Sequence, residues 1–236
     1  MGSQDKLILY TSHLCPWAHR AHIVLDELNI PHEQVLIDLT VPRTPEYLKI
    51  NPRGLVPALS VNGEILLESA IVANYLLDAN PSHILPASNE PGAALKRARI
   101  AFFVDNFIGK FLGQQVKIAS AKAEDQGALI DAAVATILKE VEPLLADAKP
   151  FFGGSETITQ AEVLTGSFAI RLKALTARGV YPKVLWETLV EKAPNLVKWV
   201  DAVSAHPSVK SVFPEDDIVR ITVNRLEKAR AAAASA

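Results

Sequence analysis

The hydrophobic pattern changes character once along this chain, and that change constrains the fold more than any other feature. It falls at residues 80–92 (NPSHILPASNEPG), where three prolines stand among small and polar residues. Such a stretch interrupts regular structure and marks a domain boundary. Before it, strand and helix signals alternate. Lys6 to Tyr10 is a short apolar β-type run. Pro16 opens a helical pattern carrying Ala21, Val24, Leu25 and Leu28, and proline suits a first helical turn because the amide it lacks would be unpaired there. Glu33 to Leu39 is a second strand candidate, so the chain opens as a βαβ unit. A polar, proline-bearing stretch runs from Thr40 to Pro52. Pro57 to Val61 and Glu64 to Leu67 read as two strands joined by Asn62-Gly63, the strongest short hairpin signal. Ser69 starts a helix reaching Leu76 or Leu77.

After the boundary the strand signals stop. Ala101, Val104, Ile108 and Phe111 recur at helical spacing, as do Ile130, Val134, Ile137, Val141 and Leu144. Leu164, Phe168, Arg171 and Leu175 mark a further helix, and Leu196, Val200 and Val203 another. Stripes of this kind must pack on one another. The pattern predicts an α/β domain over residues 1–80, a linker over 81–92 and an all-helical domain over 93–236. Thr159 and Glu162 have the spacing of a capping box, with Ile158 and Val163 at the staple positions, which speaks of fold rather than chemistry.

Composition narrows the function classes. With 236 residues, 49% of them apolar, the chain can build the cores of two domains. Its 24 basic and 26 acidic residues include no basic tract of the kind nucleic-acid binders use. No apolar run approaches the length of a spanning helix, so no membrane role is expected. Met1 to Asp5 lacks the charged and apolar regions of a signal peptide. A single cysteine forms no internal disulfide, which favours a reducing, cytoplasmic setting.

That cysteine is the chemical focus. Cys15 follows the first strand and precedes Pro16 at the start of the first helix. A thiol there faces unpaired amides and the positive end of the helix dipole, which favour the nucleophilic thiolate. His19 and Arg20 follow within the first turns and add positive potential. A dithiol reductase would need a second cysteine at position 18, where Ala18 stands. A mixed disulfide on Cys15 can therefore be resolved only by an external thiol such as glutathione. Val56-Pro57, before the third strand, suits a tight turn with a cis proline and an extended backbone able to pair with a peptide-like ligand. Glu68-Ser69 at the next helix start is either a plain cap or a carboxylate-binding helix terminus. His13, His19, His22 and His32 crowd the same region, but their spacing fits no structural zinc pattern, and no metal is expected. Tyr10, Thr11 and Ser12 are rival groups, able to activate a bound thiol in place of Cys15.

Taken together, these parts resemble a cytosolic glutathione transferase: a βαβ unit, Val56-Pro57, Glu68-Ser69, a linker and a helical domain with the capped helix at Thr159. The resemblance covers nearly the whole chain. Cys15-Pro16-Trp17-Ala18-His19-Arg20 and Phe151-Phe152-Gly153-Gly154 are similar to the omega and related cysteine classes, lambda and the glutathionyl-hydroquinone reductases among them, with omega the best match in length. The resemblance implies a thioredoxin-like N-terminal domain with a mixed four-stranded sheet. It implies glutathione as co-substrate and a homodimer. It makes Cys15 the residue that forms a mixed disulfide with glutathione, Val56 and Pro57 the backbone that pairs with its cysteinyl part, and Glu68 and Ser69 the holders of its γ-glutamyl end. The omega lysine before the Pro-Glu-aromatic step is replaced by Thr44, leaving the neighbouring Arg43 for the glycyl carboxylate. Trp17 stands where omega proteins carry phenylalanine, and Glu162 where the family carries aspartate.

The implied reaction is thiol transfer, as in deglutathionylation or dehydroascorbate-type reduction. The alternatives are conjugation of glutathione to an electrophile, and a non-catalytic ligandin or scaffold on the same fold. A small hydrophobic or disulfide acceptor would lie between the domains. Phe102, Asp105, Asn106, Gly109 and Gln114 are its candidate lining, with a last helix from Asp216 through Arg225 across the cleft.

Overall fold

The computed structural model describes residues 5–234. β1 (Leu7–Thr11), α1 (Pro16–Glu27) and β2 (Glu33–Leu36) form the βαβ opening, with β1 and β2 parallel and Ile8 opposite Glu33. β2 is shorter than the expected run to Leu39. The Ile37 amide donates to Thr11 O at 2.7 Å, and Thr11 is the last residue of β1, so nothing remains to pair with beyond it. All four β2 residues are exposed, as befits an edge. The polar stretch contains a short helix, α2 (Pro45–Ile50), started by Pro45 and capped by the Thr44 side chain accepting from the Tyr47 amide. β3 (Ala58–Val61) and β4 (Glu64–Leu67) form the hairpin, with Asn62 and Gly63 at φ 52° and 96°. Positive φ at both turn residues is what the Asn-Gly pair supplies. The mixed sheet runs β2-β1-β3-β4, the sheet of a thioredoxin-like domain.

α3 (Ser69–Ala79) covers the sheet beside α1. No helix or strand follows until α4 (Ala93–Asn106); Ser82 and Leu85 make an isolated bridge between them. A π-helical segment, Phe107–Leu112, joins α4 directly to α5 (Gly113–Ser120). Then come α6 (Ala123–Glu140), α7 (Gln160–Ala177), α8 (Lys183–Lys192), α9 (Pro194–Ala205), α10 (Pro207–Lys210) and α11 (Glu215–Ala234).

α7 is the axis of the molecule. It is buried on almost every side, between α1 of the first domain and α9 of the second. Gly166 permits that closeness, since an added Cβ would stand 3.1 Å from the Val203 side chain and 3.7 Å from Ile23. The capping box at Thr159 is complete, and both staple residues are fully buried. The buried Glu162 carboxylate also accepts from the Phe152 amide at 2.8 Å and Trp199 Nε1 at 2.7 Å. It therefore ties α7 to an aromatic cluster of Phe103, Phe107, Phe152 and Trp199. α11 begins at an acidic turn paired with Arg178, and Arg230 donates to Ala119 O of α5. Residues 235 and 236 of the Ala-rich end lie outside the described residues. No described helix is long and apolar enough to cross a membrane.

Candidate functional site

Because α1 is wedged between the sheet and α7, its N-terminus opens where the two domains meet. Cys15 is the N-cap of α1, extended at φ −89° and ψ 119°, with its amide donating to Ser12 O at 3.0 Å. Its Sγ is half-buried and 3.8 Å from Val56 O. The Val56-Pro57 bond is cis. Leu55 O is held by Asn51 Nδ2 at 2.7 Å and the Tyr47 hydroxyl at 2.5 Å, so α2 fixes the backbone that faces the thiol.

Cys15 lines a cleft of about 540 Å³ together with Trp17, Arg43, Val56, Pro57, Glu68 and Ser69. These are the glutathione-site residues expected from the sequence, and the fold brings them all together. Arg20, Arg53 and Arg225 join them, so four arginines and one acidic residue, Glu68, line the cleft. Glu68 pairs with Arg53. Its φ of 69° places a non-glycine residue in the left-handed region, a strained conformation of the kind that clusters at ligand sites. Glu68, rather than Ser69, occupies the N-cap position of α3, with no side-chain cap bond. Ser69 is the first helical residue, and its hydroxyl accepts from Arg20 Nη1 at 3.1 Å, so the plain capping reading fails. Arg43 lines the cleft while its Nε and Nη1 hold the carbonyls of Gly54, Asp38 and Val41. Through these contacts it clasps the loop. Gly54 at φ +63° leaves room for it, since a Cβ there would touch Arg43 Cγ at 3.0 Å.

A second cavity of about 270 Å³ adjoins the first at Trp17 and Arg225. Leu14 and Pro16, the neighbours of Cys15, line it with Trp17, Phe168, Gln115, Arg171, Tyr181 and the α11 residues Ile218, Ile221, Thr222, Arg225 and Leu226. Trp17 and Arg225 face both cavities. Trp17 is 39% exposed, with its ring edge-on to Phe168 at 4.7 Å and the Arg20 guanidinium 4.6 Å from its centroid. α11 thus crosses the cleft as the sequence suggested.

The expected acceptor lining is placed elsewhere. Phe102 is 56% exposed on the outer face of α4, and Asp105 and Gly109 are exposed too. Asn106 is buried, bonded to Phe102 O at 2.8 Å, and Gln114 donates to Lys110 O at 2.6 Å. None of the five lines either cavity beside Cys15. For Gln114, which follows the π segment, that segment is the cause. Each π turn holds more residues than an α turn, so side chains beyond it rotate relative to a 3.6-residue pattern. Gln115, one position on from the residue expected, is the glutamine that lines the pocket.

Buried polar groups hold α1 in place. His19 Nε2 faces Val209 O at 2.9 Å and must carry the hydrogen, leaving Nδ1 to accept from Arg171 Nη1 at 3.1 Å. Burial, with the Arg171 charge second, keeps this ring neutral, well below the usual histidine range. His22 meets the Thr11 hydroxyl at 2.8 Å, and burial lowers it to about 3. Arg20 donates to Leu164 O at 2.8 Å, and burial lowers it to about 10. Arg171 is also lowered to about 10 by burial, the largest influence on it. Both arginines stay charged at neutral pH. Arg171 was legible only as an oddity, an arginine inside the apolar stripe of Phe168 and Leu175. Gln115 and Tyr181 had no such signal.

Tyr10, Thr11 and Ser12 do not line the cleft. Among the described residues, no group of three or more histidine, cysteine, aspartate and glutamate side chains gathers as a metal site. A further cavity of about 430 Å³, between the linker and Phe152, holds neither Cys15 nor its neighbours.

Residues 9–86 match the family model described as "Glutathione S-transferase, N-terminal domain". The chain is 30% identical to glutathione S-transferase L1 of Arabidopsis thaliana, over 82% of this chain and 76% of that protein. It is 27% identical to glutathione S-transferase omega-1 of Mus musculus, over 88% and 80%. Among solved structures, rice GST1 in complex with glutathione superposes with a TM-score of 0.80 at 24% identity, over 96% of this chain and 99% of that one.

Proposed function

This chain belongs to the glutathione S-transferase family as an omega-like member, and from that premise we propose that it is a thiol transferase in which Cys15 is the nucleophile. One observation carries the reading: Cys15 Sγ opens into the arginine-rich cleft while its two chain neighbours line the second cavity. A thiol so placed can reach a sulfur bound in the first while a leaving group departs into the second.

The cleft suits glutathione, which brings two carboxylates and one ammonium to four arginines and one glutamate. Val56 offers backbone to the cysteinyl part, Ser69 and the α3 terminus take the γ-glutamyl carboxylate, and Glu68 takes the ammonium. Arg43, which lines the cleft, takes the glycyl carboxylate. The similar rice protein, solved with glutathione, supports this ligand.

In the first step the Cys15 thiolate attacks the glutathionyl sulfur of a mixed disulfide. The S–S bond breaks, Cys15 carries glutathione, and the acceptor leaves as thiolate to take a proton from solvent. A second glutathione thiolate then attacks that disulfide, releasing oxidised glutathione and the Cys15 thiolate. One free glutathione is oxidised as one acceptor is reduced, and the glutathionyl group the acceptor carried leaves with it as oxidised glutathione. Tyr10, Thr11 and Ser12 lie outside the cleft lining, which weighs against hydroxyl-assisted conjugation. The proposed setting is the cytoplasm. Exposed Leu95 and Phe102 on α4 and Ile71 on α3 support a homodimer, which light scattering would test. Mass spectrometry after mixing with oxidised glutathione tests the catalytic reading. One glutathione adduct on Cys15 is expected, and its absence overturns the reading.

A further inference from the structure

The second cavity carries more information than an apolar slot would. Trp17, Phe168, Leu175, Ile218 and Leu226 give it apolar walls. Five polar side chains stand among them: Gln115, Arg171, Tyr181, Thr222 and Arg225. No aspartate or glutamate lines it. Gln115 is only 2% exposed, and its buried Nε2 has no hydrogen-bond partner. Buried polar groups are nearly always partnered, so an amide left open beside a cavity points to a ligand atom that completes it. Arg171 is equally unusual. Its guanidinium is buried, and its bonds go to Ser167 O, Leu14 O and the neutral His19 ring. A buried charge is ordinarily paired. Arg225 adds a second cation at the mouth shared with the glutathione cleft, and Arg171 stays charged at neutral pH.

We propose that this pocket selects acceptors with an aromatic body and a carboxylate, the ring lying against Trp17 and Phe168 and the carboxylate received by Gln115 and the Arg171 and Arg225 guanidinium groups. The proposal rests on the reading that Cys15 delivers its chemistry between these two cavities, and it adds the chemical class of the second substrate. A cavity of about 270 Å³ holds one or two fused rings with a short substituent. The leaving thiolate of an aryl mixed disulfide would enter the same positive field, so a negative charge is favoured in ground state and product alike.

Calorimetric titration of the wild-type protein, saturated with unreactive S-methylglutathione, tests this without any turnover. The probes are 2-naphthoate and the neutral 2-naphthylmethanol. The naphthoate should bind at least about tenfold more tightly, the usual scale for a charge-assisted hydrogen bond in a buried site. Gln115→Leu and Arg225→Gln, each at the pocket rather than in the core of α7, should each cut that preference to about threefold or less. Equal affinity for the two probes, no binding of either, or a preference unchanged in both variants would overturn the proposal. Failure of the thiol-transfer reading shows separately, as the absence of a glutathione adduct on Cys15.

Discussion

The two cavities that meet at Cys15 are built in different ways. The cleft proposed for glutathione is made mostly by the N-terminal domain, around element ends that sit close together: the N-cap of α1, the Val56-Pro57 turn, and the junction of β4 with α3, with Arg225 of α11 added from the helical domain. The pocket proposed for the acceptor is made from side chains of α1, the π segment, α5, α7 and α11, together with Leu14 and with Tyr181 in the turn before α8. The position of the first is set by local backbone geometry at those element ends. The second can change its ligand by single substitutions. Trp17 and Arg225 belong to both, which lets one bound substrate register the other.

The largest test of this division is Cys15→Ser. Thiol transfer should fall by about a thousandfold or more, as removal of a covalent nucleophile does. Calorimetry should still find glutathione binding within about twofold of wild type, because Val56, Ser69 and the arginines remain. A variant that transfers thiols at full rate would remove the nucleophile from the scheme, and retained or raised conjugation would favour the rival reaction.

Acid should loosen the helix that both cavities share. His19 and His22 are held neutral in the fold, His22 down to about 3, while an unfolded imidazole titrates near 6.5. The unfolded chain therefore binds more protons below pH 6.5. The stability these rings contribute is complete above that pH and is lost as pH falls from about 6.5 towards 3. Each should steepen the loss by about 1.4 kcal/mol per pH unit within that window. Urea unfolding between pH 6.5 and 5, before most carboxylates titrate, should show the slope, and His22→Gln should reduce it by about half.

Ser69→Ala separates the cavities. It removes a hydroxyl that lines the cleft and leaves Arg20 Nη1, itself buried, without its acceptor. The KM for glutathione should rise about tenfold, equal to about 1.4 kcal/mol, while the KM for a disulfide acceptor stays within about twofold. A matching rise for the acceptor would show that the two cavities are one binding unit.

The same division explains what could be read from sequence. Cys15-Pro16, Val56-Pro57, Asn62-Gly63 and Glu68-Ser69 are local signals, each fixed by what proline, glycine or an element end does to a few residues of backbone. They located the cleft and the order of the domains. The acceptor pocket depends on which way distant side chains point. The α4-to-α5 stretch reads as one continuous helix, yet the π segment at Phe107–Leu112 turns its second half. That rotation brings Gln115 to the cavity in place of the expected Gln114, while Phe102, which precedes it, lies on an outer face of α4. Arg171 was visible as a charge in an apolar stripe, but its role needs the neighbours that tertiary packing brings: Tyr181 and the thiol.

Gln115→Leu probes the side-chain-built pocket at its smallest scale and gives two readouts of opposite sign. The buried amide lacks a partner in the free protein, so it costs stability there. Replacing it with a similarly sized apolar group should raise the stability of the free protein by about 1 kcal/mol, readable as a higher urea midpoint at constant m-value. The same change should lower kcat/KM for a carboxylate-bearing aryl mixed disulfide of glutathione about fivefold, with the uncharged aryl analogue unaffected. A pocket residue kept for packing would lose stability on substitution and would not distinguish the two acceptors. A destabilised variant with equal losses on both would therefore place Gln115 among the supports of α5 and take the acceptor pocket's polarity out of the selection of substrate.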